Sequence, residues 1–318
     1  MPADVTAHVT VVGAGVTGLT CALRLAEAGV GVRVLARDRL EATTSSVAAA
    51  LWYPYEAYPY ERVLGWSQTT YEQLVRLVAD DPAAGVRLRP GVEWRRDDGP
   101  EPWWASAVPD LVKVGDAPPG LAVGWRFTAP VVDMSRYLPW LEARLAAHGV
   151  VPERRSLVDL GEVDGVVVDC AGLGARQLAG DPSVTPIRGQ VVVVEQLGID
   201  EWVVDDGDGR ALTYIVPRID DVVVGGTAEP GADDLTVDPV TATDILERAT
   251  ALVPALAGAR VLRHKVGLRP ARPSVRLEAE PREGRTVVHC YGHGGAGVTL
   301  SWGCAADVVE LVLAAGVP

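Results

Sequence analysis

A chain of 318 residues, 48% apolar and with a formal net charge of -13, can bury one or two sizeable cores but lacks the clustered cations that a polyanion requires. Nucleic acid is therefore not an expected partner. The four cysteines, Cys21, Cys170, Cys290 and Cys304, show no CxxC spacing; they read as small buried hydrophobes of a reduced protein, and no metal site is expected.

From the N-terminus, His8 to Val12 is a β-branched run that breaks into Gly13-Ala14-Gly15-Val16-Thr17-Gly18. Leu19, Ala22, Leu23 and Ala26 follow at helical spacing, Gly29 stops the helix, and Val30 to Leu35 reads as a second strand. This is a βαβ unit. After the small-residue stretch from Val47 to Trp52 the composition changes, with Tyr53, Pro54, Tyr55, Tyr58, Pro59 and Tyr60 crowded together, so a domain boundary is placed there. Glu61 to Leu77 is helix-like, and irregular strands are expected through Phe127. Asp133 is a plausible N-cap for a helix over Met134 to Ala147, in which Pro139 must either kink the helix or sit near its start.

Gly165 to Asp169 is an apolar strand ending in Cys170-Ala171-Gly172. The runs Gln190 to Val194, Leu212 to Val216 and Val222 to Val224 have no helices between them, which predicts antiparallel pairing. A second strand, glycine loop and helix closes the chain: Thr286 to His289, Gly292 to Gly297, Val298 to Leu313. No signal-peptide pattern, membrane-length apolar run or C-terminal Ser-Lys-Leu address is read, so cytoplasm is expected and membrane is not.

Gly13, Gly15 and Gly18 sit where a dinucleotide fold needs a tight turn, close backbone approach to pyrophosphate, and close helix packing. They leave NAD, NADP and FAD open. Arg37-Asp38, at the end of the second strand, could hold ribose hydroxyls or a 2′-phosphate, or could be a solvated ion pair. The loop Gly292-His293-Gly294-Gly295-Ala296-Gly297 brings several backbone N–H groups and a helix dipole to one anionic object, as the pyrimidine end of a reduced flavin would be. The five histidines have no carboxylate or second ligand spaced to orient them and read as structural.

The segment from Val287 to Ala305, with Val11 to Leu19 and Val47 to Trp52, closely resembles the signatures of the D-amino-acid oxidase family. Cys170 to Ala175, Arg188-Gly189-Gln190 and Gly267 to Arg272 fall in the family's order, so the resemblance covers nearly the whole chain. It implies an α/β protein with a discontinuous Rossmann-like FAD-binding domain (1–52, 131–185 and 264–318) and an α+β substrate domain (53–130 and 186–263) whose sheet is mostly antiparallel. By that resemblance Gly13, Ala14, Gly15, Val16, Thr17, Gly18, Arg37, Asp38, Thr43, Thr44 and Ser45 surround the ADP half of FAD, and Cys170, Ala171 and Gly172 line its adenosine region. Ala48, Ala49, Leu51, Gly294, Gly295, Gly297, Val298 and Thr299 surround the flavin ring and ribityl chain, with Leu157 in backbone contact.

The resemblance also implies that Arg269 clamps the substrate carboxylate, that Tyr214 donates its hydroxyl to the same group, and that the Gly295 carbonyl accepts from the amine. A planar guanidinium fork suits that task, although taken alone Arg269 reads as a surface ion pair and Tyr214 as a core residue, and it is the resemblance that reverses this. The implied reaction oxidises a D-amino acid with O₂, by hydride transfer from Cα to flavin N5, giving a 2-oxo acid, ammonia and H₂O₂. Tyr55, Arg210 and Ala228 are the expected side-chain pocket, with Arg210 in a lid. Because Ala228 and Tyr55 stand where D-aspartate-specific relatives carry a cation and a histidine, neutral and apolar substrates are expected. Glycine, sarcosine or acidic substrates are alternatives, an NADP-binding sensor or reductase is the reading from another class, and a homodimer is compatible with either.

Overall fold

A computed structural model describes residues 8–205, 207 and 212–317. Its strands are β1 (Val9–Val12), β2 (Val32–Ala36), β3 (Val86–Arg95), β4 (Val112–Val114), β5 (Val123–Val132), β6 (Glu153–Arg154), β7 (Val166–Asp169), β8 (Thr185–Glu195), β9 (Trp202–Asp205), β10 (Thr213–Pro217), β11 (Asp221–Gly225), β12 (Glu229–Pro230), β13 (Val261–Arg282) and β14 (Arg285–His293). The helices are α1 (Val16–Glu27), α2 (Tyr60–Asp80), α3 (Met134–Ala147), α4 (Ala175–Leu178), α5 (Pro239–Leu252) and α6 (Gly297–Ala314).

Two styles of sheet are joined through one strand. β14, β7, β1, β2 and β6 pair in parallel; β1 and β7 are buried along their whole length, as expected of strands covered on both faces. β9, β10, β11, β8 and β13 pair in antiparallel fashion, in agreement with the sequence pattern. β13 serves both: Val261 to Ala271 ladders with β8, and Arg276 to Arg282 ladders with β14. Pro273 falls in the register shift between Ala271 and Arg276, where no ladder requires its missing N–H. The expected segment boundary at 263/264 thus lies within a continuous strand, and the two halves are coupled by one backbone.

α1 packs against α6 and α3, and α2 against α6. Asp133 caps α3, accepting from the Ser135 N–H at 3.0 Å. Pro139 lies inside that helix and cannot donate to the Ser135 carbonyl. α6 corrects one expectation: it is 18 residues long with mean hydropathy 1.4, sufficient in length and composition to cross a bilayer, but 56% of it is buried within the fold. Its apolar character follows from contact with two helices at once. A Cβ on Gly303 would lie 2.3 Å from the Trp66 Cα on α2, so only glycine permits that approach.

Candidate active site

A cavity of about 670 Å³ runs between the two sheet styles and takes its walls from both glycine turns. That volume is within the ~300–1,000 Å³ usual for small-molecule and cofactor sites. Gly13 turns the chain from β1 into α1 with φ +113°; a Cβ there would stand 2.4 Å from the Cys170 carbonyl oxygen. Gly18 is equally constrained, since its Cβ would meet the Gly13 oxygen at 2.0 Å. Gly18 does not line the cavity; it lets α1 close onto the turn. Ser45 Oγ accepts from the Val16 N–H at 2.9 Å, which ties the Thr43-Thr44-Ser45 segment to the start of α1.

Arg37 and Asp38 border the cavity as a 2.7 Å ion pair with side-chain exposures of 70% and 40%. The arginine charge is already met by the carboxylate. Ala14, Val16, Thr17, Ala48, Ala49, Leu51, Leu157, Ala171 and Gly172 also line the cavity. Thr299 does not: its Oγ1 accepts from the Tyr53 N–H at 3.1 Å and donates to the Tyr53 carbonyl at 3.0 Å, so it anchors the tyrosine-rich segment to α6.

The second turn joins β14 to α6. Gly294 adopts φ +54°, donates to the Pro270 carbonyl at 2.9 Å, and lines the cavity with Gly295, Gly297 and Val298. A Cβ on Gly295 would lie 3.4 Å from Tyr55 and 3.7 Å from Arg269. The glycine loop is therefore packed against two of the expected substrate residues.

Arg269 on β13 and Tyr214 on β10 reach the cavity from the antiparallel side. Both planar groups rest on glycines. A Cβ on Gly189 would be 2.4 Å from Arg269 Nη1, and one on Gly225 would be 2.0 Å from Tyr214 Cζ. Arg269 Nη1 donates to the Thr227 carbonyl at 2.9 Å, which fixes the guanidinium and leaves the Nε and Nη2 edge as a two-point fork.

Of the expected pocket residues, Tyr55 lines the cavity and Ala228 is absent from its described lining; Arg210 lies outside the described residues. Val191, Val204, Leu212 and Val216 line it without having been given a site role by the sequence, as do Gly189 and Gly267, which were read only as members of motifs. Their signal is the strand period: Leu212 and Val216 flank Tyr214 at two-residue spacing, and Gly267 stands two before Arg269. One premise of the histidine reading is corrected, that no carboxylate stands near: His289 is fully buried with Glu280 Oε1 at 3.1 Å and Asp169 Oδ2 at 3.6 Å. It stands apart from the cavity lining, whereas His293 is part of it.

The site fits FAD. Both glycine turns line one cavity, and the N-termini of α1 and α6 meet there, since a Cβ on Gly297 would lie 4.0 Å from Val16 Cγ1. Residues 8–311 match the DAO family of FAD dependent oxidoreductases. The chain is 52% identical to a D-amino-acid oxidase of Rubrobacter xylanophilus, over 99% of this chain and 98% of that one. Against a D-amino-acid oxidase of Streptomyces coelicolor it is 46% identical, with 96% of each chain covered. A Homo sapiens D-aspartate oxidase is 37% identical, over 96% of this chain and 95% of that one. Among solved structures, a glycine oxidase from Bacillus cereus superposes with a TM-score of 0.81 at 20% identity, covering 97% of this chain and 95% of that one. With a match that spans nearly all of its length, the chain belongs to the DAO family of FAD dependent oxidoreductases.

Proposed function

We propose that this protein is a D-amino-acid oxidase that converts neutral and apolar D-amino acids to 2-oxo acids, ammonia and H₂O₂, with O₂ as electron acceptor. The observation that carries this reading is the placement of Arg269, Tyr214 and the Gly295 loop on the wall of the cavity that both glycine turns enter. FAD, when bound, supplies the acceptor for hydride and passes the electrons to O₂. Arg269 supplies the fork that grips the substrate carboxylate, and the Tyr214 hydroxyl donates to the same group. The Gly295 carbonyl accepts from the amine, so carboxylate and amine are held at two fixed points and one Cα hydrogen is presented. With the amine lone pair free and the hydrogen leaving as hydride, no side-chain base is required.

Tyr214→Phe is expected to raise KM several-fold with a smaller change in kcat. A neutral hydroxyl contact contributes about 1 kcal/mol and is made in both ground and transition states. Steady-state kinetics with D-alanine check this; a loss of kcat by several decades at constant KM would assign Tyr214 a proton-transfer role instead.

Side-chain preference follows from the apolar residues Val191, Val204, Leu212 and Val216 on the antiparallel wall. An acidic side chain desolvated there costs about 1–3 kcal/mol, so kcat/KM for D-aspartate should be roughly ten-fold or more below that for D-alanine, D-valine or D-methionine. The panel is read by peroxide release in air, with anaerobic bleaching of the flavin by D-alanine as the test of the reaction itself. If D-aspartate is the best substrate and Arg210→Ala removes that preference, the neutral-pocket reading is replaced by one in which Arg210 recognises the acidic group. An absence of bleaching and peroxide with every D-amino acid would overturn the activity.

A further inference from the structure

The four cysteines, far apart in sequence, converge. Cys21 on α1, Cys170 at the end of β7 and Cys290 on β14 have sulfurs within 4.8 Å of one another, and the donor atoms of Cys290, His293 and Cys304 meet the same limit. All four thiols are buried and free. Cys290 is the member common to both groups. The last parallel rung between β7 and β14 joins Asp169 to His289, so Cys170 and Cys290 follow it side by side. Neighbouring strands are about 5 Å apart, within the Cα separation of roughly 4.4–6.8 Å that a disulfide spans. Cys170 and Cys290 also line the cavity, whereas Cys21 and Cys304 are absent from its described lining.

We propose that Cys170 and Cys290 form a peroxide-oxidisable pair that closes to a disulfide at the wall of the cofactor cavity. The supply of peroxide from within rests on the oxidase reading above; the reactivity of the pair rests on the cluster. The adjoining Cys170, Cys21 and Cys304 thiols outweigh burial and hold the Cys290 thiol below its ordinary pKa, while contact with Cys21 and Cys290, together with burial, raises Cys170; Cys290 is thus the member favoured as the nucleophilic thiolate. The Cys290 thiolate attacks one oxygen of H₂O₂. The O–O bond breaks, leaving a sulfenic acid and hydroxide, and the hydroxide takes the thiol's proton to become water. The Cys170 sulfur then attacks the Cys290 sulfur, the S–O bond breaks, and a second water leaves with the Cys170 proton. Two thiols lose two electrons and one peroxide becomes two waters.

The test exposes the FAD-loaded protein, without substrate, to H₂O₂ in molar excess. Catalase ends the reaction, the protein is unfolded and alkylated, and its peptides are mapped by mass. Alkylatable thiols should fall from four to two, with a peptide linking Cys170 to Cys290. Cys304→Ser should still lose two thiols and give the same link, whereas Cys290→Ser should lose no pair. Retention of all four thiols, a link between any other two cysteines, or oxidation of Cys290 that stops at sulfinic acid overturns the pair. Should Cys290→Ser fail to fold, the wild-type and Cys304→Ser maps still decide. A parallel sample given D-alanine in air in place of H₂O₂ should show the same link. A link formed by added peroxide alone would support the pair and count against the oxidase reading.

Discussion

Arg269→Ala is expected to lower kcat/KM at least 100-fold for every D-amino acid that the wild-type protein oxidises. Removing one member of a buried charge pair costs about 3–5 kcal/mol, and each ~1.4 kcal/mol is a factor of ten. Arg269 is only partly buried in the structure, so the lower part of that range applies. The lost guanidinium also orients the substrate, which places much of the loss in kcat as well as in KM. Arg269→Lys should recover only part, because a point charge cannot reproduce the two-point edge. Gly189→Ala offers an independent check. Its Cβ would stand 2.4 Å from Arg269 Nη1, so it should move the guanidinium and weaken turnover although the arginine is still present. Near-wild-type kcat/KM in Arg269→Ala would show that Arg269 is structural and that another group holds the carboxylate.

The parts of the site that were legible in the sequence are those where backbone geometry dictates residue type. Gly13 and Gly18 could be read because a turn at φ +113° and a helix closing onto its own turn admit no Cβ, and these demands leave a fixed spacing. The β1-α1-β2 unit and the β14 to α6 passage were legible for the same reason. The antiparallel wall was less so. Which residues of β8, β9 and β10 face the cavity depends on register, and register is set by partners distant in sequence, such as Val204 opposite Tyr214. Once Tyr214 is placed, Leu212 and Val216 follow at two-residue spacing.

Convergence of buried groups across elements, outside the residues that the resemblance placed together, was not legible. Cys21, Cys170, Cys290 and Cys304 stand on four different elements, or at their ends, and no spacing rule relates a helix after β1 to a strand near the C-terminus. His289 likewise appeared to have no carboxylate because Asp169 and Glu280 reach it from the neighbouring strands β7 and β13. Thr299 was placed at the cofactor by resemblance, but its hydroxyl is committed to the Tyr53 backbone. Its position was legible; its partner depended on how the tyrosine-rich segment folds back onto α6.

Gly13→Ala should yield a colourless protein, or one whose FAD affinity has fallen about 100-fold. Two costs add at this residue. A positive φ in a residue with a Cβ costs about 1–2 kcal/mol, and overpacking against immobile neighbours costs about 1–3 kcal/mol. The neighbour here is backbone: the new Cβ would lie 2.4 Å from the Cys170 oxygen and 2.8 Å from its carbonyl carbon. Neither can rotate away as a flexible side chain could. Relief requires the end of β1 to separate from the end of β7, which opens the turn proposed to receive the pyrophosphate, so roughly 3 kcal/mol is lost from binding, or about two decades in Kd. Gly29→Ala isolates the first cost, since Gly29 has φ +82° but nothing within 4 Å of its added Cβ. That variant should lower Tm modestly and retain FAD. The measurements are the flavin-to-protein absorbance ratio after gel filtration and the melting temperature with and without added FAD. Added FAD should raise the Tm of Gly29→Ala as it does that of the wild type, and raise that of Gly13→Ala much less. If Gly13→Ala keeps stoichiometric FAD and melts with Gly29→Ala, the close approach of Gly13 to Cys170 does not govern cofactor binding.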